Sequence, residues 1–579
     1  METIFSIWSV LTAPQRRGAA ALLGLMLCSM LFEMLGIGMV VPALAFMVQD
    51  KAVTDSQLLE PWIAWLGHPT TNQLILGGLL LLLVIYVLKS CFLVFVAYTQ
   101  SRFVSQLQAS MSRRLFETYL GQPWAFHLQR NSAELIRNID NIQQFGITCT
   151  SLLTLIAELL IMLGILGLLV WCETVGAIVV GTVLCVSTFF YDSITRHRLA
   201  HWGRRRYAHA ERYVKHMQEG LGGAKDVKIL GCEQHFIDRF TTDATGLAQM
   251  TGRQSLFQQI PRLWYELLAV TALCLLTGVM IWQGKPLQSF VPTLGLFATA
   301  AFRLLPSANR LSMAMQQIRF AKAQTETLKQ ELALAVRKPG AATNSKMAFR
   351  NAIDINHVCY RYDASHADSL KDVTIRIAHG SSVGLIGGSG AGKSTLVDII
   401  LGLLPTTSGK VLVDGIDIQD NIRGWQGLVG YVPQSIYLSD DTLRRNVAFG
   451  IANENIDEAL VARAIRTAQL DVFVASLPQG LETLVGERGV RLSGGQRQRI
   501  GIARALYRDP DVLVLDEATS ALDNETEKEV MAAVNSLHGM KTLVIVAHRL
   551  STVAECDILY RLDNGVVTQG GAFAEVIVP

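Results

Sequence analysis

Hydrophobic residues are gathered into long runs over roughly the first 320 positions of this chain and into short runs afterwards. Six of the long runs reach the roughly 20 apolar residues that a helix needs to cross the hydrocarbon core of a bilayer. The pattern therefore predicts six membrane-spanning helices, at about 18–48, 73–100, 143–171, 174–194, 256–283 and 288–312.

Basic residues are unevenly distributed among the loops between these spans. Arg16 and Arg17 precede the first span, and clusters of arginine and lysine fill the loops between spans two and three and between spans four and five. The opposite loops carry only Lys51 and Lys285. Because loops rich in lysine and arginine stay in the cytoplasm, we expect a multi-pass membrane protein with both termini there.

The two basic loops are long and rich in good helix formers, so we expect the membrane helices to continue through them. The segment 55–66, between spans one and two, has an apolar stripe made of Leu58, Trp62, Trp65 and Leu66. This stripe suits a short external amphipathic helix in the membrane interface, and it suits packing against the helix bundle equally well.

The pattern changes after a linker at 336–348. Apolar runs at 382–386, 512–515 and 542–546 have the length and composition of strands buried on both faces of a parallel sheet. The sequence thus divides into a transmembrane domain, 1–335, and an α/β domain, 349–579.

Composition agrees with this division. Of 579 residues, 50% are hydrophobic and only 17% are charged, a balance typical of membrane proteins. The net charge of +3, without a continuous basic patch, argues against nucleic acid as a partner.

The segment Gly387–Ser394 fits the pattern G-x-x-x-x-G-K-[ST]. A glycine-rich loop between a strand and a helix lets backbone N–H groups converge on phosphate oxygens. Lys393 adds a positive charge, and the hydroxyl of Ser394 can bind Mg²⁺. The motif predicts a nucleoside triphosphate site.

Two further motifs follow, Leu492–Gln496 and Val512–Glu517. Together the three motifs resemble those of the ATP-binding cassette family, and the resemblance extends over 349–570. It implies an exporter-type transporter, in which an all-α six-helix transmembrane domain is fused to a cytoplasmic α/β P-loop nucleotide-binding domain. It also implies transport-coupled ATP hydrolysis with ATP and Mg²⁺ as cofactors.

The resemblance assigns roles to individual residues. Glu517 is the expected general base, with Gln434 beside the metal and attacking water and His548 as the switch histidine. The metal ligands are expected to be Ser394, Gln434 and Asp516. The ATP-binding residues are expected to be Tyr362, which stacks on adenine, and Gly387, Gly388, Ser389, Gly390, Ala391, Gly392, Lys393, Ser394, Thr395, Ser493, Gly494, Gly495 and Gln496.

In this family the segment 492–496 completes the site of a second cassette. One cassette and six spans therefore imply a half-transporter that works as a homodimer through both domains. A soluble ATP-driven factor would share the cassette, but the six spans argue against it. A regulatory subunit with a dead ATPase would have lost Glu517 or the 492–496 motif, and both are present.

Charged residues inside predicted spans indicate function or internal pairing. Lys89, Arg262 and Arg303 are candidate substrate residues, because three cations facing one cavity would suit a phosphate or pyrophosphate. The alternative is pairing with acids of the spans, for instance Arg262 with Glu266, or extension of the side chains to the membrane surface.

The segments Ile260–Glu266 and Phe302–Arg310 resemble the bacterial flippase of lipid-linked oligosaccharides in protein N-glycosylation. This resemblance implies outward movement of a polyprenyl-pyrophosphate glycan across the bacterial inner (cytoplasmic) membrane. Lys89 departs from it, since an arginine is expected there and lysine lacks the planar two-pronged contact. Export of lipid A, a drug or a peptide is the alternative.

Overall fold

The computed structural model describes residues 8–9, 11–39, 71–172, 174–282, 287–334, 347–362, 367–486, 489–518, 524–547 and 549–577. These fall into two compact units, one within Met1–Gln122 and Arg130–Val336 and the other within Pro123–Gln129 and Arg337–Pro579. The segment 55–66, predicted as an external helix, and most of the linker 336–348 lie outside the described residues.

The amino-terminal part of the chain is helical throughout the described residues. Its helices are α1 (Ala13–Gly38), α2 (Thr71–Leu120), α3 (Trp124–Gln129), α4 (Ser132–Cys172), α5 (Thr174–Gly222), α6 (Ala224–Leu230), α7 (Glu233–Trp282), α8 (Leu287–Phe320) and α9 (Lys322–Leu332). All but α3 belong to the first unit, and α3 belongs to the second.

The described parts of the six predicted spans fall in α1, α2, α4, α5, α7 and α8, and positions 40–48 and 283 of these spans lie outside the described residues. Among the described residues, three stretches are long and apolar enough to cross a bilayer: Ala13–Gly38, Leu76–Leu120 and Ser132–Trp171. These helices are also longer than the predicted spans. At 50 residues α2 is about 75 Å long, against about 30 Å for the hydrocarbon core. The prediction that the helices continue through the basic loops is confirmed.

Within the first unit, α1 and α2 pack against α4, and α8 packs against α4 and α7. The core of this bundle includes the fully buried side chains of Ile165, Leu169 and Tyr265. Helices α5 and α8 come very close at Gly203, where a Cβ atom would lie 2.2 Å from the carbonyl oxygen of Phe320. Only glycine fits at this crossing.

The second unit contains the strands and the remaining helices. Its strands are β1 (Ala352–Tyr360), β2 (Leu370–Ala378), β3 (Ser382–Ile386), β4 (Ser408–Val413), β5 (Ile416–Asp417), β6 (Val429–Val432), β7 (Val512–Asp516), β8 (Thr542–Val546), β9 (Ile558–Asp563) and β10 (Val566–Gly571). Its helices, besides α3, are α10 (Lys393–Ile400), α11 (Ile422–Gln426), α12 (Leu443–Val447), α13 (Glu458–Thr467), α14 (Asp471–Ser476), α15 (Gly494–Leu506), α16 (Asn524–Asn535) and α17 (Phe573–Ile577).

Two sheets form this unit. The larger has the order β10-β9-β3-β8-β7-β6 and is parallel except for the β9–β10 pair, and the smaller is antiparallel with the order β2-β1-β4-β5. All of β3 and β8 is buried, and so is β7 up to its last residue, which confirms the three predicted strands. Because β3, β8, β7 and β6 are parallel, the loops that follow them meet at one edge of the sheet.

Candidate functional site

The phosphate loop, residues 387–392, joins the buried strand β3 to helix α10, as the motif predicts. Gly392 precedes the helix with a φ of 101°, in the region that favours glycine. A Cβ atom there would lie 2.9 Å from the carbonyl oxygen of Ser369. The first backbone N–H groups of α10 have no partners within the helix, so the loop can bind an anion.

Lys393 is buried at the start of α10 and its side chain folds back over the loop. Its Nζ donates hydrogen bonds to the carbonyl oxygens of Gly387 at 2.9 Å and Gly388 at 3.0 Å. Burial lowers the pKa of Lys393 below its ordinary range, and the neighbouring carboxyl groups of Glu517 and Asp516 oppose this shift. An ammonium group held in this way is positioned for a phosphate oxygen that enters the loop.

Asp516 and Glu517 lie at the carboxyl end of β7, two strands away from the phosphate loop. Glu517 has a φ of 48°, and its N–H donates to the carbonyl oxygen of Val546 at 3.0 Å. Nε2 of Gln434 donates to Oε2 of Glu517 at 2.7 Å. The structure thus brings together residues that were predicted from two separate segments, Gln434 from one and the Asp516–Glu517 pair from the other.

The two carboxyl groups have different surroundings. Burial and the charge of Glu517 raise the pKa of Asp516 above its ordinary range. The hydroxyl of Tyr431 donates to Oδ2 of Asp516 at 3.5 Å. The adjacent carboxyl groups of Asp516 and Glu517 favour a bound cation. A positive charge near Asp516 would offset the repulsion between the two carboxylates when both are ionised.

The sequence reasoning missed Asp398, a half-buried acid in the otherwise apolar last turn of α10. Burial raises the pKa of Asp398 to about 6, while a hydrogen bond with the side chain of Trp124 acts in the opposite direction. Trp124 begins α3, and the neighbouring Ala125 packs against the core of the second unit. The signal that could have indicated this position is a single acid in an otherwise apolar helical turn.

Tyr362 follows β1, at the edge of the described residues. Its hydroxyl lies 3.1 Å from Oγ1 of Thr395, and its ring meets Tyr360 edge-on. Tyr362 is therefore close to the first turn of α10. His548 lies outside the described residues.

The segment 492–496 forms the predicted helix N-terminus. Helix α15 begins at Gly494, and Ser493 caps it. Oγ of Ser493 accepts from the N–H of Gln496 at 3.2 Å, and Oε1 of Gln496 accepts from the N–H of Ser493 at 2.9 Å. The capping box satisfies two of the N–H groups here, and the positive end of the helix dipole at the exposed Ser493 favours a second anion.

Two of the predicted substrate cations converge on one acid in the helical unit. Glu33 of α1 is only 2% exposed; Lys89 Nζ of α2 lies 2.8 Å from its Oε2, and Arg303 Nη2 of α8 lies 2.7 Å from its Oε1. Pairing of these cations with acids of the spans is the alternative that the sequence left open, without indicating Glu33 as the partner. The third cation, Arg262, is exposed and forms no ion pair with Glu266 or any other described residue.

Comparison with known proteins agrees with the fold and the motifs. The family described as "ABC transporter transmembrane region" matches residues 45–289, and the family described as "ABC transporter" matches residues 370–520. The chain is 30% identical over 507 residues to the ATP-dependent lipid A-core flippase of Thiobacillus denitrificans, and the match covers 86% of each protein. The chain belongs to the ABC transporters. The matched transmembrane region and cassette, together with this relative, make it an exporter half-transporter and an ATPase coupled to transport.

Other similar proteins point the same way. The ATP-dependent lipid A-core flippase of Cupriavidus metallidurans is 31% identical over 484 residues, which cover 83% of this ABC exporter and 81% of that protein. Among solved structures, a bacterial Atm1-family ABC exporter with ATP bound superposes with a TM-score of 0.79 at 23% identity, covering 98% of this chain and 97% of that one. The predicted fold class, a helical transmembrane domain fused to an α/β cassette, is confirmed.

Proposed function

We propose that this ABC exporter hydrolyses Mg²⁺-bound ATP with the residues gathered at the edge of the large sheet. The N–H groups of 387–392 and Lys393 hold the phosphates, and Tyr362 stacks on adenine. The arrangement of Lys393 over the loop carbonyls supports this assignment.

The proposed Mg²⁺ ligands are Ser394, Gln434 and Asp516, which offer the oxygen atoms that this hard cation prefers. The raised pKa of Asp516 fits a carboxyl group that awaits a positive charge. When bound, the ion neutralises charge on the phosphates. Glu517 then accepts a proton from the attacking water, and Gln434 holds that carboxyl group in place through the 2.7 Å hydrogen bond. His548 is proposed to contact the γ-phosphate.

The complete site is proposed to need two protomers. The helix end at Ser493–Gln496 of one copy would close over the phosphates held by the other, so that the exporter works as a homodimer. The exposed N-terminus of α15, whose helix dipole favours an anion, supports this arrangement. The basic loops support an inner-membrane protein with both termini in the cytoplasm.

For the cargo we propose an amphiphile with a phosphate-bearing head group, moved outward. The observation that carries this proposal is the presence of Lys89 and Arg303 around one acid among apolar helices, where cations are costly unless they serve an anion. The similar proteins are named for lipid A-core, which favours a phosphorylated saccharolipid of that kind.

A lipid-linked oligosaccharide is the second candidate. It rests on the resemblance of Ile260–Glu266 and Phe302–Arg310 to the flippase of such glycans. Both candidates combine acyl or prenyl chains, sugar and phosphate, so they place the same demand on Lys89, Arg262 and Arg303. The similar proteins support the lipid A-type cargo better.

The test uses purified exporter in lipid vesicles, with each labelled cargo supplied separately. We expect one cargo to raise ATP hydrolysis and to be translocated, and the Arg262→Ala and Arg303→Ala variants to lose this stimulation while basal hydrolysis persists. Stimulation and translocation that are indifferent to both substitutions would overturn the proposal. Preference for the polyprenyl-pyrophosphate glycan over lipid A-core would favour the second candidate.

A further inference from the structure

Glu33 is shared between two cations that come from different helices. It lies on α1, is almost fully buried, and meets Lys89 of α2 at 2.8 Å and Arg303 of α8 at 2.7 Å. Lys89 reaches it past Gly36, where a Cβ atom would stand 3.5 Å from its Nζ. Lys89 also lies 4.7 Å from the centre of the Tyr86 ring. The three charged side chains form one cluster that links α1, α2 and α8.

The cluster carries one positive charge in excess, because one carboxylate faces two cations. Arg303 can also donate a further hydrogen bond, because its Nε is buried and has no hydrogen-bond partner among the described residues. An excess charge and an unused donor are both costly in an apolar environment. The cluster therefore holds its cations in place but leaves them incompletely neutralised.

Another buried acid of the helical unit is arranged differently. Glu158 of α4 meets a single cation, Arg310 of α8, whose Nε lies 2.5 Å from its Oε1. This pair is neutral as a whole. The comparison shows that a buried carboxylate in this bundle does not always gather two cations.

We propose that Glu33 is an internal substitute for the phosphate of the cargo, and that it competes with this phosphate for Lys89 and Arg303. This inference rests on the proposed phosphate-bearing cargo and deepens it. Between transport events Glu33 pairs with both cations and neutralises part of their charge, since they would otherwise be unpaired among apolar helices. A phosphate takes the cations from Glu33, and Glu33 takes them back when the cargo leaves.

The competition selects for charge. A phosphate group carries more negative charge than a carboxylate and offers three acceptor oxygens, so it can satisfy both cations and the free Nε of Arg303. An uncharged lipid offers nothing in exchange for the lost ion pairs. Glu33 is thus a specificity-determining residue, because only a head group that binds Lys89 and Arg303 better than its carboxylate does can occupy the cationic site.

The experiment measures ATP hydrolysis and translocation by the full-length exporter in vesicles as a polyprenyl pyrophosphate or a lipid A-type lipid is titrated. In the Glu33→Gln variant we expect the half-saturating lipid concentration to fall by about tenfold, because the competing charge is gone. We expect the maximal translocation rate to fall too, since nothing displaces the departing phosphate. Glu158→Gln is the matched control and should leave the half-saturating concentration unchanged.

A second comparison avoids the single variant Glu33→Gln, in which both cations lose their partner. Lys89→Gln and the double variant Glu33→Gln/Lys89→Gln differ only in the Glu33 charge, and the double variant should need less lipid for half-saturation. A neutral polyprenol should stimulate no variant more than wild type, and inorganic pyrophosphate distinguishes head-group binding from lipid binding.

The outcomes separate the two proposals. An unchanged or raised half-saturating concentration in Glu33→Gln would overturn the competition and leave Glu33 as a support for its cations. If neither phosphorylated lipid is translocated by the wild-type exporter, the proposed cargo fails. Competition is then judged from inorganic pyrophosphate binding alone, which must tighten in Glu33→Gln and not in Glu158→Gln.

Discussion

Glu517 occupies a backbone conformation that residues with a side chain rarely adopt, with a φ of 48°. Such strain persists only where the surroundings hold it, here through the N–H bond to Val546 and the bond from Gln434. We predict that Glu517→Gln keeps ATP binding but slows hydrolysis by about 10²- to 10⁴-fold, because the proton acceptor is lost. The rate of phosphate release from ATP checks this prediction, with Glu525→Gln as the control, since Glu525 is an exposed acid on α16. Hydrolysis near the wild-type rate would assign the base elsewhere.

Asp398 gives the cassette a dependence on pH. Its pKa is raised by burial to about 6, so between pH about 4 and 6 the folded protein binds more protons than the unfolded chain. Stability from this group is complete at low pH and is lost as the pH rises through that window. We predict that Asp398→Asn, which keeps an acceptor for Trp124, is more stable by about 2 kcal/mol above pH 6 and by much less at pH 4.

Thermal unfolding of the full-length protein at the two pH values measures this difference. Asp420→Asn, at an exposed position, is the control and should shift the midpoint equally at both. An equal gain for Asp398→Asn at pH 4 and pH 7 would contradict the assigned ionisation.

At the scale of elements, the α5–α8 crossing depends on Gly203. A methyl group there would meet the carbonyl of Phe320 at 2.2 Å, and backbone cannot move aside as a side chain can. We predict that Gly203→Ala separates the two helices and destabilises the helical unit by about 1–3 kcal/mol. Gly252→Ala, on α7 with open space around it, should be neutral or stabilising by up to about 1 kcal/mol. Similar unfolding midpoints for the two variants would refute the close contact.

At the scale of the whole molecule, the proposed homodimer predicts a pattern of complementation. Two differently tagged copies are co-purified, with Lys393→Ala and Ser493→Arg placed either in the same copy or in different copies. If each site combines Lys393 of one protomer with Ser493 of its partner, the defects in different copies spare one site, and the defects in the same copy damage both. ATP hydrolysis should therefore survive only in the first arrangement. Survival in the second arrangement alone would mean that each chain forms its own site.

Much of the cassette could be predicted from the sequence, because buried parallel strands such as β3 and β8 are apolar throughout and the motifs have fixed spacing. The pairing of Glu33 with Lys89 and Arg303 could not. A helix that is apolar on every side has no stripe to show which face meets its neighbours, so the rotation of α1, α2 and α8 is undetermined. The contact of Trp124 with Asp398 joins residues too distant in sequence for any local pattern to indicate.

Helix α3 interrupts the first unit in sequence yet belongs to the second, where Trp124 bonds to Asp398 and Ala125 covers part of the core. A cassette produced alone, beginning at residue 337, would be missing a piece of its own interior. Its apolar surface would be open to water at that point, and Asp398 would lose its indole donor. Solubility and nucleotide turnover measured on such a fragment would describe a damaged domain, and supplying residues 123–129 as a peptide should repair it.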